Sequence, residues 1–186
     1  MKIYRLWGYS IALAVFKVPD GERMQNLVDR LDEINSEIKP AEAQLFNADN
    51  ILDEEHVKVA LVNAVMSFNS PNRAARSLRM EFLLKLAATD QVREAISKLG
   101  VGRDTERAAI LAIASDEDGA VRVLGEIRRM LGAVEELELP RLVDSRVEVL
   151  KKLYNVSQGE IESTQAGSYA EAFKLTLAHR IATSRL

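Results

Sequence analysis

Arg73, Arg76 and Arg79 recur every third residue, with Ser77 among them. Guanidinium forks match phosphate oxygens two at a time, and a serine hydroxyl adds a hydrogen bond to phosphate or sugar. If the segment is a helical turn, the three arginines share one side and form a cationic ridge. Lys58 and His56 would flank that ridge if the preceding helix folds back on it. The other reading is a solvated face paired with nearby glutamates, and on the residues alone that reading is preferred.

Other reactive groups form no constellation. His56 beside Glu55 invites a metal reading, but a single histidine with no second one nearby is expected at the surface. With no cysteine, and with only His56 and His179, a thiol–imidazole pair is excluded. Gly100 and Gly102 lack phosphate-loop spacing, and Ser77 lacks the glycine setting of a nucleophile elbow. Asp116–Asp118 reads as helix capping, and Glu135, Glu136 and Glu138 as a solvated connection. No catalytic residue, metal or cofactor is expected, and the protein is read as a non-enzyme.

The 186 residues carry a net charge of −3 and are 47% hydrophobic, enough for one sizeable core. A chain of that charge attracts nucleic acid only through a local patch, and no DNA partner is expected. The absence of cysteine fits a reducing compartment. Ile11–Phe16 is apolar but too short to span a bilayer, and Lys2, Arg5 and Lys17 bracket it. A soluble cytoplasmic protein with no membrane contact is expected.

These groups need elements to hold them. Lys2–Trp7 and Ser10–Val18 read as strands of a hairpin around Gly8-Tyr9. Trp7 reads as a core or sheet-face residue in preference to a stacking platform. Asp20-Gly21 opens a helix with the stripe Met24, Leu27, Leu31, Ile34 and Ile38, ended by Pro40. Ala43–Asn47 is a short strand. Asp53 caps a helix carrying Val57, Ala60, Leu61, Ala64, Val65 and Phe68. Pro71-Asn72 breaks the chain, and alternating Met80, Phe82, Leu84 and Leu86 predict a strand. Thr89 and Asp90 cap a helix with the stripe Val92, Ala95, Ile96 and Leu99. Arg107–Ala114 is a buried strand, and Ser115 caps a helix closed by Gly132. Pro140–Tyr154 and Ser168–Ser184 are helical, joined by a polar connection over Ser157–Gly167. The expected fold is α+β: a mixed, largely antiparallel sheet covered by helices. Residues 1–132 would form the sheet domain, with 133–186 as a helical extension packed on it in a single globular unit.

The ordered set Arg76-Ser77-Leu78, Glu81-Phe82-Leu83-Leu84, Gln91-Val92 and Ala95-Ile96 resembles the small kinase-binding subunit of the KEOPS complex. Gln44-Leu45-Phe46-Asn47-Ala48-Asp49 fits the same family pattern. The resemblance implies a non-catalytic protein that binds the KEOPS protein kinase. It further implies recruitment of tRNA through its 3′ CCA end, for threonylcarbamoyl modification of the adenosine beside the anticodon. Arg76 and Ser77 are the residues it points to directly. Arg73, Arg79, Lys58 and His56 join them as candidate RNA-binding residues, the first three by charge and His56 because the family often has histidine there. The alternative is an interaction scaffold for the kinase that binds no RNA.

Overall fold

A computed structural model describes residues 1–71 and 73–184. Asn72, half of the expected Pro71-Asn72 break, lies outside the described residues. Among those described, nine α-helices accompany a five-stranded open sheet whose pairings are all antiparallel. The fold is α+β. Contacts group the chain into two compact units, Met1–Ala48 with Gly100–Leu139, and Asp49–Leu99 with Pro140–Leu186. That partition is drawn at different points from the break expected at Gly132.

The first unit holds the sheet: β1 (Lys2–Leu6), β2 (Tyr9–Lys17), β3 (Glu42–Asn47), β4 (Arg107–Ala114) and the short β5 (Glu136–Leu137). The order is β1-β2-β4-β3, with β5 also paired to β2. The hairpin turn is Trp7-Gly8, both at positive φ, and not Gly8-Tyr9. A two-residue turn with that hand suits the right-handed twist of the strands. Trp7 is therefore carried at the tip, 63% exposed, and is no core residue. β5 also replaces part of the solvated connection expected there, and Glu135 pairs with Lys17.

Alternate residues of the strands, among them Ala12, Phe16, Leu45 and Ile110, face the helices α1 (Gly21–Asp29), α2 (Leu31–Glu37) and α6 (Glu117–Leu131). The single helix expected over residues 21–38 is two, broken at Arg30, but its stripe of Met24, Leu27, Leu31 and Ile34 stays buried. Asp116, not Ser115, caps α6 by accepting from the Gly119 N–H at 2.7 Å. Gly132 ends α6 at φ 72°, a conformation that glycine adopts without strain.

The second unit is helical: α3 (Glu54–Phe68), α4 (Leu78–Leu86), α5 (Val92–Leu99), α7 (Asp144–Leu153), α8 (Gln158–Glu162) and α9 (Tyr169–Thr183). The strand expected over Met80–Leu86 is the helix α4. Its sequence contains no β-branched residue and is rich in Leu, Met, Glu and Lys, all good helix formers. Seven of its nine residues are buried, and a helix enclosed on nearly all sides shows no amphipathic period. Val92 and Ile96 of α5 are exposed, so only Ala95 and Leu99 of its expected stripe are core. The polar connection after α7 contains α8, which a Ser157–Glu160 capping box starts.

Candidate nucleic-acid interface

The site is built on the pair α3 and α4. His56, Ala60, Ala64 and Ser67 follow one another at spacings of three or four and are all buried. The two alanines let α4 approach closely, and the polar residue at each end of the stripe meets an end of α4. Ser67 reaches Glu81 in α4's first turn, while His56 reaches Leu86 at its last residue. The two helices therefore run antiparallel.

At the first end, residues 73–77 are irregular, so Arg73 and Arg76 do not form a ridge at helical spacing with Arg79. Arg76 is exposed and makes no ion pair among the described residues. The Arg73 guanidinium stacks 5.3 Å from the centre of the Phe68 ring. Ser77 occupies the N-cap position of α4 in extended conformation, yet its side chain bonds no helix N–H. Arg79 lies in the first turn, half-buried and already engaged in an interaction. A helix start that lacks a side-chain cap, beside a guanidinium with no ion pair among the described residues, sets an exposed cation and a hydroxyl where an anion can approach.

Lys58 and His56 do not join this group. α3 does fold back on α4, but it brings them to the opposite end, about one α4 length (~13 Å) from Ser77. Lys58 pairs with Glu54 at 2.9 Å. His56 is 4% exposed, so the expectation of a surface histidine fails. Its Nδ1 accepts the Leu52 N–H at 3.2 Å and its Nε2 lies 3.0 Å from the Leu86 carbonyl oxygen. Those partners require the neutral ring with the proton on Nε2. Burial lowers the His56 pKa to about 4, against the raising effects of the Leu86 carbonyl and of Asp53.

Around His56 the polar groups satisfy one another. The Tyr154 ring meets the imidazole edge-on at 5.6 Å, and its hydroxyl donates to the Asn50 carbonyl at 2.8 Å. Burial raises the Tyr154 pKa and keeps the phenol protonated. Arg146 donates to the carbonyls of Asp49, Ile51, Leu52 and Arg141 at 2.8–3.0 Å, pinning the segment that enters α3. Lys98 lies over Tyr154 and pairs with Glu94 at 2.6 Å. Sequence reading did not bring these residues together, because their contacts lie far apart in the chain. Arg180 donates to the Tyr154 and Asn155 carbonyls and to Glu160, whose pKa the guanidinium lowers to about 2.

A second surface lies between α3 and α9. A cleft of about 230 Å³ is walled by Leu52, Val59, Leu175, Ala178 and Ile181, with Glu55, Lys58 and Lys174 also lining it. Lys174 pairs with Asp53 and Glu55, so the cleft carries little free charge. Leu175 is 43% exposed there. No group of three or more metal-ligating side chains occurs among the described residues, and no described helix is long and apolar enough to cross a membrane.

The protein is thus an α+β fold that presents an exposed cationic loop and an apolar cleft. The model of the kinase binding protein CGI-121 family matches residues 22–184, most of the chain. The chain belongs to that family of kinase binding proteins. No match was found among curated proteins.

Proposed function

We propose that this chain is a non-catalytic KEOPS subunit that holds the KEOPS protein kinase and recruits tRNA by its 3′ CCA end. The complex would then place threonylcarbamoyl on the adenosine beside the anticodon, in the cytoplasm. The mechanism is positioning: one protein that grips both kinase and tRNA raises the effective concentration of substrate. The tRNA arm is carried by Arg76 and Ser77 at the open start of α4, where phosphate oxygens of a single strand meet a guanidinium and helix N–H groups. Arg73 and Arg79 flank them, with the Arg73–Phe68 stack offering a face to an unpaired base. His56 drops out of this set because both its ring nitrogens are used inside the fold. Lys58 belongs with the cleft at the other end.

The kinase arm is assigned to the apolar cleft between α3 and α9. Its support is the exposed Leu175 among apolar walls, in a family of kinase binding proteins. Deleting α9 does not test this, because Phe173, Leu177 and Ile181 are core residues and the unit would unfold. Leu175→Glu should abolish capture of the kinase while helical content is unchanged; full capture would overturn the assignment. A gel shift with tRNA decides between this reading and a kinase scaffold that binds no RNA.

A further inference from the structure

Glu81 is fully buried, yet its carboxylate has three donors. Ser67 Oγ donates to Oε1 at 2.6 Å, and the Ala74 and Ala75 N–H groups donate to Oε2 at 3.1 and 2.8 Å. The two amides belong to the irregular loop between Arg73 and Arg76, which has no helix or strand to take its backbone donors. Ala75 is buried while the arginines on either side are exposed, so the loop is pulled inward at its centre and its cations are turned out. One side chain on a rigid helix thus sets the backbone of the segment that carries the cations.

We infer that Glu81 is the positioning residue of the cationic loop, clamping the Ala74 and Ala75 amides so that Arg73 and Arg76 stand pre-ordered for a phosphate-bearing single strand. The consequence for binding rests on the tRNA reading above; the clamp itself does not. Burying a carboxylate is costly unless its oxygens are well supplied with donors, and a loop held in its bound form loses less entropy on binding. What matters is the pattern of acceptors, not the charge. A glutamine at this position can present its carbonyl oxygen to both amides and its NH₂ to Ser67 Oγ, which then accepts.

The test compares Glu81→Ala with Glu81→Gln in the full chain. Two readouts are used: hydrogen exchange at the Ala74 and Ala75 amides, and affinity for tRNA with an intact 3′ end. Glu81→Ala should speed exchange at both amides by at least about tenfold and weaken tRNA binding about tenfold. Glu81→Gln should restore both, while kinase capture stays at wild-type level in each. Unchanged exchange in Glu81→Ala, or a glutamine variant as impaired as the alanine one, overturns the clamp. If Glu81→Ala does not fold, Ser67→Ala carries the test: it should speed exchange at both amides, and unchanged exchange again overturns the proposal. The two levels separate through Arg76→Glu. If that variant binds tRNA like wild type, the tRNA reading falls and amide exchange alone judges the clamp. If Arg76→Glu weakens binding but Glu81→Ala does not, the positioning role falls and the tRNA reading stands.

Discussion

The α3–α4 pair buries an ionisable side chain at each end, and the two ends treat the surface differently. At the Glu81 end the buried carboxylate collects loop amides, and what remains outside is Arg76, with no ion pair among the described residues, and a helix start without a side-chain cap. At the His56 end the buried imidazole joins a closed network in which Arg146, Tyr154 and Lys98 each find acceptors or rings within the fold. The same device, a polar side chain satisfying backbone groups of a neighbouring segment, leaves a cationic loop exposed at one end and, at the other, polar groups satisfied within the fold beside the apolar cleft. A buried polar residue therefore marks a candidate site for a polar ligand only when the segment it holds presents charged groups to solvent.

The largest effect is expected where the two ends are joined. Phe82 is the central residue of α4 and fully buried, so Phe82→Ala should destabilise the protein by about 3–5 kcal/mol in denaturant unfolding. A loss below ~1 kcal/mol would mean that α4 is not the packed link between the ends.

The His56 end should be sensitive to acid. The His56 pKa falls from 6.5 to about 4 on folding, so the unfolded chain takes up its proton first as pH drops. The stabilisation is complete above about pH 6.5 and is lost as pH falls towards 4, by about 3 kcal/mol. Protonation would also set an N–H of the ring against the Leu52 N–H. His56→Gln should flatten stability between those pH values in urea titrations; an unchanged slope would place the titration elsewhere.

A smaller effect isolates Arg146. Lysine keeps the charge but cannot span four carbonyls with a planar fork, so Arg146→Lys should cost about 1–2 kcal/mol. Binding of tRNA should be unaffected, since the open end is untouched. Equal stability of the two proteins would mean that Arg146 does not pin the segment that enters α3.

The differing legibility of the two ends has physical reasons. Four of the five expected strands are present because their β-branched or apolar runs are short and bounded by turns, and Asp53 and Gly132 mark helix ends as their chemistry requires. Met80–Leu86 was misleading because a helix buried on nearly all sides has no polar face to give a 3.6-residue period, and alternation of Met, Phe and Leu then mimics a strand. The error had a consequence for the site: in a strand, Glu81 would point away from the apolar face, whereas in a helix it reaches back to the loop. Arg76 and Ser77 were singled out by charge and by the family resemblance, and they lie on the exposed loop and at the N-cap position of α4. The burial of His56 was not legible, since Glu54 and Glu55 beside it advertise a surface. The signal that reveals it is the stripe His56, Ala60, Ala64 and Ser67, small residues at helical spacing bounded by polar ones. Arg146 and the pairing order β1-β2-β4-β3 depend on contacts remote in sequence, which periodicity cannot express.

The central claim is that the open end of the α3–α4 pair grips the 3′ end of tRNA. The most direct measurement is tRNA affinity across a salt series, for wild type and Arg76→Glu, each with intact tRNA and with tRNA lacking the terminal CCA. A lost phosphate contact flattens the dependence of log K on log salt by about one unit. With intact tRNA, Arg76→Glu should bind more weakly and with the flatter slope, while kinase capture persists. With the truncated tRNA, the two proteins should bind alike, both weaker than wild type with the intact molecule. If wild type binds truncated and intact tRNA equally tightly, the loop at Arg73–Ser77 is a solvated face and the claim is contradicted.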